Sequence, residues 1–502
     1  MTPFSVTEIA SAENVVDRAG ASRLPLSTRV RAGFGWTVSS SLIGELIRFA
    51  RSLVLARLLV PEDFGLFGMA LTIVAALNSV TTIGLDRTIV ASRFATRDDL
   101  EAHLDTVWSA ELIRSLIVAL LVSASAFPMS RFYGQAKLTA IIPILGLTTF
   151  VQGFQNIGLV ILRKEISFAR IFWYELVTNL AGIALTIALA VVMRNAWALV
   201  IGLLLTAVTG TVLSYVFHPY RPSLAIEKTA LRHVLNAGKF VVVIAVASYV
   251  STMADNVMVG RLLGTSALGN YSLAYNIASA PVSVLIFAMG TVLVPAYAEI
   301  AIEQPKRLEQ AVIKIFSIAS LILIAITLPL FLFAGEIVQL LFGGKWTSAG
   351  TVLRILALII PLRGLTHIVS TVFYAVNRPK MVAVGRTLEA IVFLGLLYPF
   401  ITSFGLLGAA WAGLIAYVFA LLNRFIGLST IIPGIAPKLF RISLISMVSA
   451  AAGLLAASAS LAFLTSSLSR VIVGGLLSMI IPSAILLLVQ TDLRKWLIEE
   501  FS

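Results

Sequence analysis

The sequence predicts an all-α polytopic membrane protein of about fourteen transmembrane helices, built as two parallel six-helix repeats plus two C-terminal helices. Three observations predict it: an apolar composition, a succession of hydrophobic stretches of spanning length, and an internal repeat. Of 502 residues, 59% are hydrophobic and 12% charged, and the mean hydropathy is +0.98. Soluble domains carry about 45–50% apolar and about 25% charged residues. A soluble chain this apolar would expose large adhesive patches, whereas in a bilayer lipid solvates them. With no cysteine, disulfides, thiolate clusters and thiol nucleophiles are excluded. The net charge of +13 matters less for its sum than for its placement.

A spanning helix needs about 20 mostly apolar residues. Residues 1–34 carry Arg18, Arg23, Arg29 and Arg31 but no apolar core ahead of a small-residue cleavage site, so a cytoplasmic tail is expected rather than a signal peptide. Spans follow near 35–57, 64–85, 107–127, 138–160, 175–193, 197–217, 237–260, 270–294, 312–334, 352–376, 387–402, 406–428, 443–464 and 470–490. Residues 491–502 form a second cytoplasmic tail. Over all 37 Lys and Arg, the segments on the side of the N-terminus are favoured about threefold, which predicts that both termini are cytoplasmic.

The repeat is visible in two places. RLLVPEDFGLFGMA at 57–70 aligns with RLLGTSALGNYSLA at 261–274, and IIPILGLT at 141–148 aligns with IIPLRGLT at 359–366. Six spans separate the copies, so both halves enter the membrane in the same sense. The predicted units are a first bundle at 35–217, a cytoplasmic linker at 218–236, a second bundle at 237–428 and an extra helix pair at 443–490.

RLLVPEDFGLFGMA, FQNIGLVILRKEISFARIFWYE at 154–175 and DNVMVGRLLGTSALGNYSLAYNIA at 255–278 resemble signatures of Wzx-like flippases, the polysaccharide transporter group of the multidrug/oligosaccharidyl-lipid/polysaccharide exporter superfamily. The resemblance covers about 35–430. It implies two lobes around a central cavity and residence in a bacterial inner membrane. It further implies flipping of an undecaprenyl-pyrophosphate-linked oligosaccharide for exopolysaccharide, capsule or lipopolysaccharide synthesis, by alternating access. The implied partners are that lipid-linked oligosaccharide, membrane lipids and polysaccharide polymerase machinery, with no nucleic acid. A drug or cation antiporter of the same superfamily and a membrane-embedded sugar polymerase or ligase are the rival readings.

Ionisable side chains inside a span cost at least about 2.5–3.5 kcal/mol on insertion scales and mark functional sites. Glu45, Arg48 and Arg51 share one helical stripe, as do Glu111 and Arg114. Arg363 and His367 share a face, and Arg363 stands where the first copy has Leu145. Asp255 occupies the position matching Arg51. The pair forms either a salt bridge that locks one state, or Asp255 binds a coupling proton or sodium ion. Arg48, Arg51, Arg114 and Arg363 are the expected pyrophosphate ligands because guanidinium forks suit phosphate. Gln152 and Asn156 are candidate sugar contacts. Glu45, Glu111, Asp255, His367 and Glu389 are candidates for coupling or gating. Arg48, Arg51 and Arg363 are expected to converge on one cavity. Arg57 and Arg261, duplicated at helix ends, are expected to snorkel to headgroups. The histidines at 103, 218, 233 and 367 lack metal-ligand spacing, and no P-loop pattern occurs. No catalytic residue, metal or cofactor is therefore expected.

Overall fold

The computed structural model describes residues 26–81, 97–165, 167–461 and 473–489. The expected tail at 491–502 and most of that at 1–34 lie outside them. The described residues are almost wholly helical, as lipid requires of a backbone that must satisfy its own N–H and C=O groups.

The first half contains α1 (Leu26–Leu58), α2 (Pro61–Thr81), α3 (Arg97–Tyr133), α4 (Leu138–Gly153), α5 (Gly158–Lys164), α6 (Phe168–Met193) and α7 (Trp197–Phe217). The second contains α8 (Lys228–Glu303), α9 (Pro305–Leu332), the short α10 (Ala334–Phe342), a 3₁₀ turn (Gly344–Trp346), α11 (Thr347–Ala375), α12 (Pro379–Phe404) and α13 (Leu406–Ser429). Helices α14 (Ile435–Leu461) and α15 (Gly475–Val489) follow, pack on each other and rest against α9. Among the described residues, nine helices are long and apolar enough to cross a membrane, or ten if the bent pair α4–α5 is one span.

Four expected boundaries move. The span expected at 138–160 is broken into α4 and α5 with a 62° bend. The spans expected at 237–260 and 270–294 run together in α8, interrupted at Gly264 (φ 86°, ψ −173°). Only glycine enters that backbone region freely. Gly264 aligns with Val60, which lies between α1 and α2, so the break in α8 repeats the α1–α2 junction. The linker expected at 218–236 is half that length, because α8 starts at Lys228. The shortest expected span, 387–402, sits inside the longer α12, which starts on Pro379, where a missing N–H costs nothing.

The neighbours within each half correspond. In the first, α3 packs on α4, α6 on α7, α4 on α7 and α1 on α6. In the second, α9 packs on α11, α12 on α13, α11 on α13 and α8 on α12. The correspondence is partial, because α8 also packs extensively on α11 while α2 barely meets α4.

The halves meet chiefly where α2 lies along α8. Two duplicated glycines allow it. A Cβ on Gly65 would lie 1.8 Å from the Thr265 carbonyl oxygen, and one on Gly269 would lie 1.9 Å from the Pro61 carbonyl oxygen. Pro61 aligns with Thr265 and Gly65 with Gly269, so the contact exchanges partners as an isologous interface does. The same end is fastened by α10 and its turn. Trp346, fully buried, donates its indole N–H to Ala56 O at 2.8 Å, and Arg57 donates to the carbonyls of Leu340 and Leu341. Arg57 thus neutralises the C-terminal end of α10 instead of reaching for headgroups. Arg261 lies 5.4 Å from the Phe132 ring centroid.

At the opposite end, extended residues 218–227 are strapped to the start of α3. Alternate residues of the strap are tied: Ser223 N–H donates to Asp105 at 3.0 Å, Ala225 N–H to Ser109 at 3.1 Å and Glu227 N–H to Thr106 at 3.1 Å. His218 Nδ1 accepts the Tyr220 N–H at 3.2 Å, which requires that nitrogen unprotonated. Burial first, then Arg170 and Arg221, hold the His218 pKa below the usual value.

Two expectations follow. Gly65→Ala and Gly269→Ala should each cost about 1–3 kcal/mol by overpacking. Their losses should be less than additive, because both open one contact; thermal unfolding of single and double variants measures this, and full additivity would count against a shared contact. The depressed His218 pKa stabilises the fold above the free histidine pKa of about 6.5, and that contribution is lost as pH falls below it. Protection factors at 220–227, corrected for the intrinsic slowing of amide exchange in acid, should therefore fall on acidification. The same pH step in His218→Asn would assign it to another group.

Candidate functional site

The polar groups of the second half gather around one cavity. Asp255 comes from α8 before the Gly264 break, and Tyr271, Tyr275 and Ser279 come from α8 after it, four residues apart on one helical stripe. Arg363 enters from α11, Glu389 from α12 and Tyr417 from α13. Asp255 is buried, its Oδ2 accepting the Tyr271 hydroxyl at 2.9 Å and its Oδ1 the Asn256 N–H at 2.8 Å. Arg363 donates to Ser279 Oγ at 3.2 Å and reaches the Tyr275 hydroxyl at 3.5 Å. The cavity leaves about 50 Å³ for the centres of water molecules, room for about four at 10–15 Å³ each. In this conformation it suits an ion with its water, or a few waters.

Glu389, 6% exposed, sits among three guanidinium groups. Arg386 approaches it at 3.4 Å and Arg424 at 3.6 Å, and Arg363 lies within electrostatic reach. Arg424 is 1% exposed and touches Ser370 Oγ at 3.3 Å. Its guanidinium lies against the backbone of α12 at Gly385, where a Cβ would be 1.9 Å from Nη1. Burying an ion pair costs several kcal/mol per ion before pairing repays it. Glu389 is thus shared among three cations, of which Arg363 lines the cavity beside it together with a second carboxylate, Asp255.

The first half holds its charges differently. Arg48 pairs with Glu45 at 2.9 Å along α1 and remains 54% exposed. Arg51, also exposed, has no hydrogen-bond or ion-pair partner among the described residues. Arg114 is bound by Glu111 through both carboxylate oxygens and donates to Thr81 at 3.0 Å and Asn78 at 3.2 Å, so four of the five donors of its fork are engaged. Gln152 is exposed. Asn156 is 1% exposed; its amide donates to the carbonyls of His218 and Tyr220 and accepts the Gly158 N–H, which pins the α4–α5 bend to the strap. No atom of that amide is left for a sugar in this conformation.

Two expectations are corrected. Arg48, Arg51 and Arg363 do not converge: every residue lining the cavity is from the second half. Asp255 and Arg51 form no salt bridge, because the carboxylate is satisfied by a tyrosine hydroxyl and a backbone N–H. His367 lies one helical turn beyond Arg363, outside the cavity lining, with Nε2 buried and without a hydrogen bond.

Sequence reasoning missed Tyr271, Tyr275, Tyr417, Arg386 and Arg424. The spacing of Tyr271 and Tyr275 by four, and of Tyr417 and Arg424 by seven, puts each pair on one face of its helix. Tyrosine is common near membrane interfaces, and an arginine toward a cytoplasmic helix end reads as topology rather than as a site.

A family model described as polysaccharide biosynthesis protein matches residues 54–351, more than half of the chain. The chain is 26% identical to the succinoglycan biosynthesis transport protein ExoT of Rhizobium meliloti (strain 1021) over 332 residues, 66% of each sequence. It is 24% identical to the lipopolysaccharide biosynthesis protein WzxC of Escherichia coli (strain K12), over 71% of this chain and 72% of that one. Among solved structures, the lipid II flippase MurJ in an inward closed conformation superposes with a TM-score of 0.72 at 15% identity, covering 89% of this chain and 98% of that one. That likeness is one of fold.

Tyr271→Phe should cost about 1–3 kcal/mol, because it leaves a buried Asp255 oxygen without its donor. Tyr275→Phe, whose hydroxyl is at the edge of bonding distance, should cost less. Thermal unfolding in detergent separates them, and equal losses would show that the Asp255–Tyr271 bond does not hold this wall.

Proposed function

The chain belongs to the polysaccharide biosynthesis protein family, and on that premise we propose that it flips an undecaprenyl-pyrophosphate-linked oligosaccharide across a bacterial inner membrane for exopolysaccharide, capsule or lipopolysaccharide assembly. The observation that carries this reading is a cavity inside a lipid-solvated bundle that is lined by Arg363 and by Glu389, which is itself paired with Arg386 and Arg424. The headgroup of such a substrate is a diphosphate, and guanidinium forks bind phosphate oxygens in pairs. The names of ExoT, WzxC and the lipid II flippase support the same class of cargo.

The proposed mechanism is alternating access between two lobes. With both termini cytoplasmic, the α2–α8 seam is the periplasmic closure and the strap lies on the cytoplasmic side. The diphosphate enters from the cytoplasm and meets Arg363 and Arg386. The sugars occupy the space between the lobes, and the polyprenyl tail stays in lipid, where each CH₂ keeps about 0.8 kcal/mol of apolar solvation. Opening of the seam then exposes the headgroup to the periplasm, where polymerase machinery takes the glycan. Asp255 is the proposed site of the coupling proton or sodium ion, since it is the cavity carboxylate without an arginine partner.

Proteoliposomes carrying the purified chain should move a fluorescent lipid-linked oligosaccharide between leaflets. Arg363→Ala should slow this tenfold or more at normal membrane abundance, and Arg363→Lys should be milder, retaining charge but not the fork. Arg48→Ala, outside the cavity, should have less effect. Unimpaired flipping by Arg363→Ala would sink the headgroup assignment. Reporter fusions at 225 and 345 should read cytoplasmic and periplasmic; the reverse would invert the proposed direction.

A further inference from the structure

We infer that Glu389 is a built-in counter-anion, which occupies the arginine site between transport events and is displaced by the diphosphate of the cargo. The inference rests on the reading of this cavity as the headgroup site, and it adds the residue that sets how tightly the headgroup is held.

Geometry carries it. Good charge-assisted N–H···O bonds run about 2.7–2.9 Å, yet Glu389 is 3.4 Å from Arg386 and 3.6 Å from Arg424. Its buried Oε2 accepts no hydrogen bond, and the buried Nη2 of Arg424 donates none. A carboxylate present only to neutralise structural arginines would be expected to close those distances. The partners also differ in freedom. Arg424 is 1% exposed and locked by Gly385 and Ser370, while the Arg386 side chain is 50% exposed. One guanidinium is a fixed anchor and the other can swing with a ligand. Asp255 cannot play this part, because both of its oxygens are hydrogen-bonded.

Shared position makes Glu389 the group that exchanges. Glu389 lines the same cavity as Arg363, and the free volume there holds only a few waters. A diphosphate that engages Arg363 and Arg386 competes with the carboxylate that both now face. Glu389 then weakens headgroup binding by competition and holds the arginines neutralised after release. Tight grip and slow release would otherwise accompany three uncompensated cations.

The test uses the full chain purified in nanodiscs, with inorganic diphosphate and farnesyl diphosphate as probes. Glu389→Gln keeps the side-chain shape and removes the charge. It should tighten diphosphate binding tenfold or more and slow flipping of the lipid-linked glycan. Arg363→Gln in the Glu389→Gln background should abolish the gain. Where Glu389→Gln folds poorly, Glu389→Asp, which keeps the charge on a shorter arm, should give a smaller gain in the same direction. A gain for both probes supports the exchange with phosphate chemistry as its determinant; a gain confined to farnesyl diphosphate supports it with the lipid as the source. Folded Glu389→Gln that binds both probes no better than wild type overturns the inference. Wild-type flipping without that gain removes the exchange and leaves the flippase reading standing. The gain without wild-type flipping does the opposite.

Discussion

The closest approach between the two halves is backbone on backbone, and the rest of the arrangement depends on it. Gly65 lies against the Thr265 carbonyl and Gly269 against that of Pro61, so α2 and α8 touch with no side chain between them. In lipid, apolar burial adds little to helix association, and small residues that admit close van der Waals contact take its place. The seam lets Phe64 meet Trp346 edge to face, with centroids 5.1 Å apart, and lets Trp346 reach Ala56 O. It also lets Arg57 cap α10. Each of these bonds crosses from one half to the other, and each requires the halves to be as near as two glycines allow.

The same apolar solvent dictates where charge goes. A charge facing lipid is expensive, so intramembrane ions turn inward and find partners. The two halves do this differently. In the first, Glu45–Arg48 and Glu111–Arg114 pair within one helix and are largely complete. In the second, Arg363, Arg386, Arg424, Glu389 and Asp255 arrive from four helices, and the Glu389 pairs with Arg386 and Arg424 stay long at 3.4 and 3.6 Å. Locally paired charge supports a helix, whereas under-satisfied charge shared between helices can respond to a ligand. The asymmetry is consistent with the first half serving as frame and the second as site.

Much of the fold was legible because spanning length and repeat spacing are one-dimensional signals. The matched glycines Gly65 and Gly269 could be found by alignment, but their contact with residues in the other copy could not. The break at Gly264 was hidden, since one glycine in an apolar run does not reveal its φ. Among the site residues, charge inside a span located Arg363, Asp255 and Glu389. It also nominated Arg48 and Arg51, because depth in the membrane can be read from a sequence and the direction a helix face points cannot. Asn156 misled for a related reason. A polar side chain that satisfies a broken backbone looks, in sequence, like one that waits for a sugar.

The seam and the cavity share one element, and this joins them mechanically. Gly264 divides α8 into two arms. Asp255 lies on the first and Tyr271 on the second, so their 2.9 Å hydrogen bond bridges the break. Thr265 and Gly269, which hold the seam, stand between the break and Tyr271. A proton or cation that takes the Asp255 carboxylate competes directly with the Tyr271 hydroxyl. Release of that hydroxyl removes a tie across the one non-helical residue of α8, one turn from the seam. Only a ligand that binds two states unequally can shift the balance between them. In the proposed coupling role Asp255 meets that condition through the Tyr271 hydrogen bond, which spans the break between the arms.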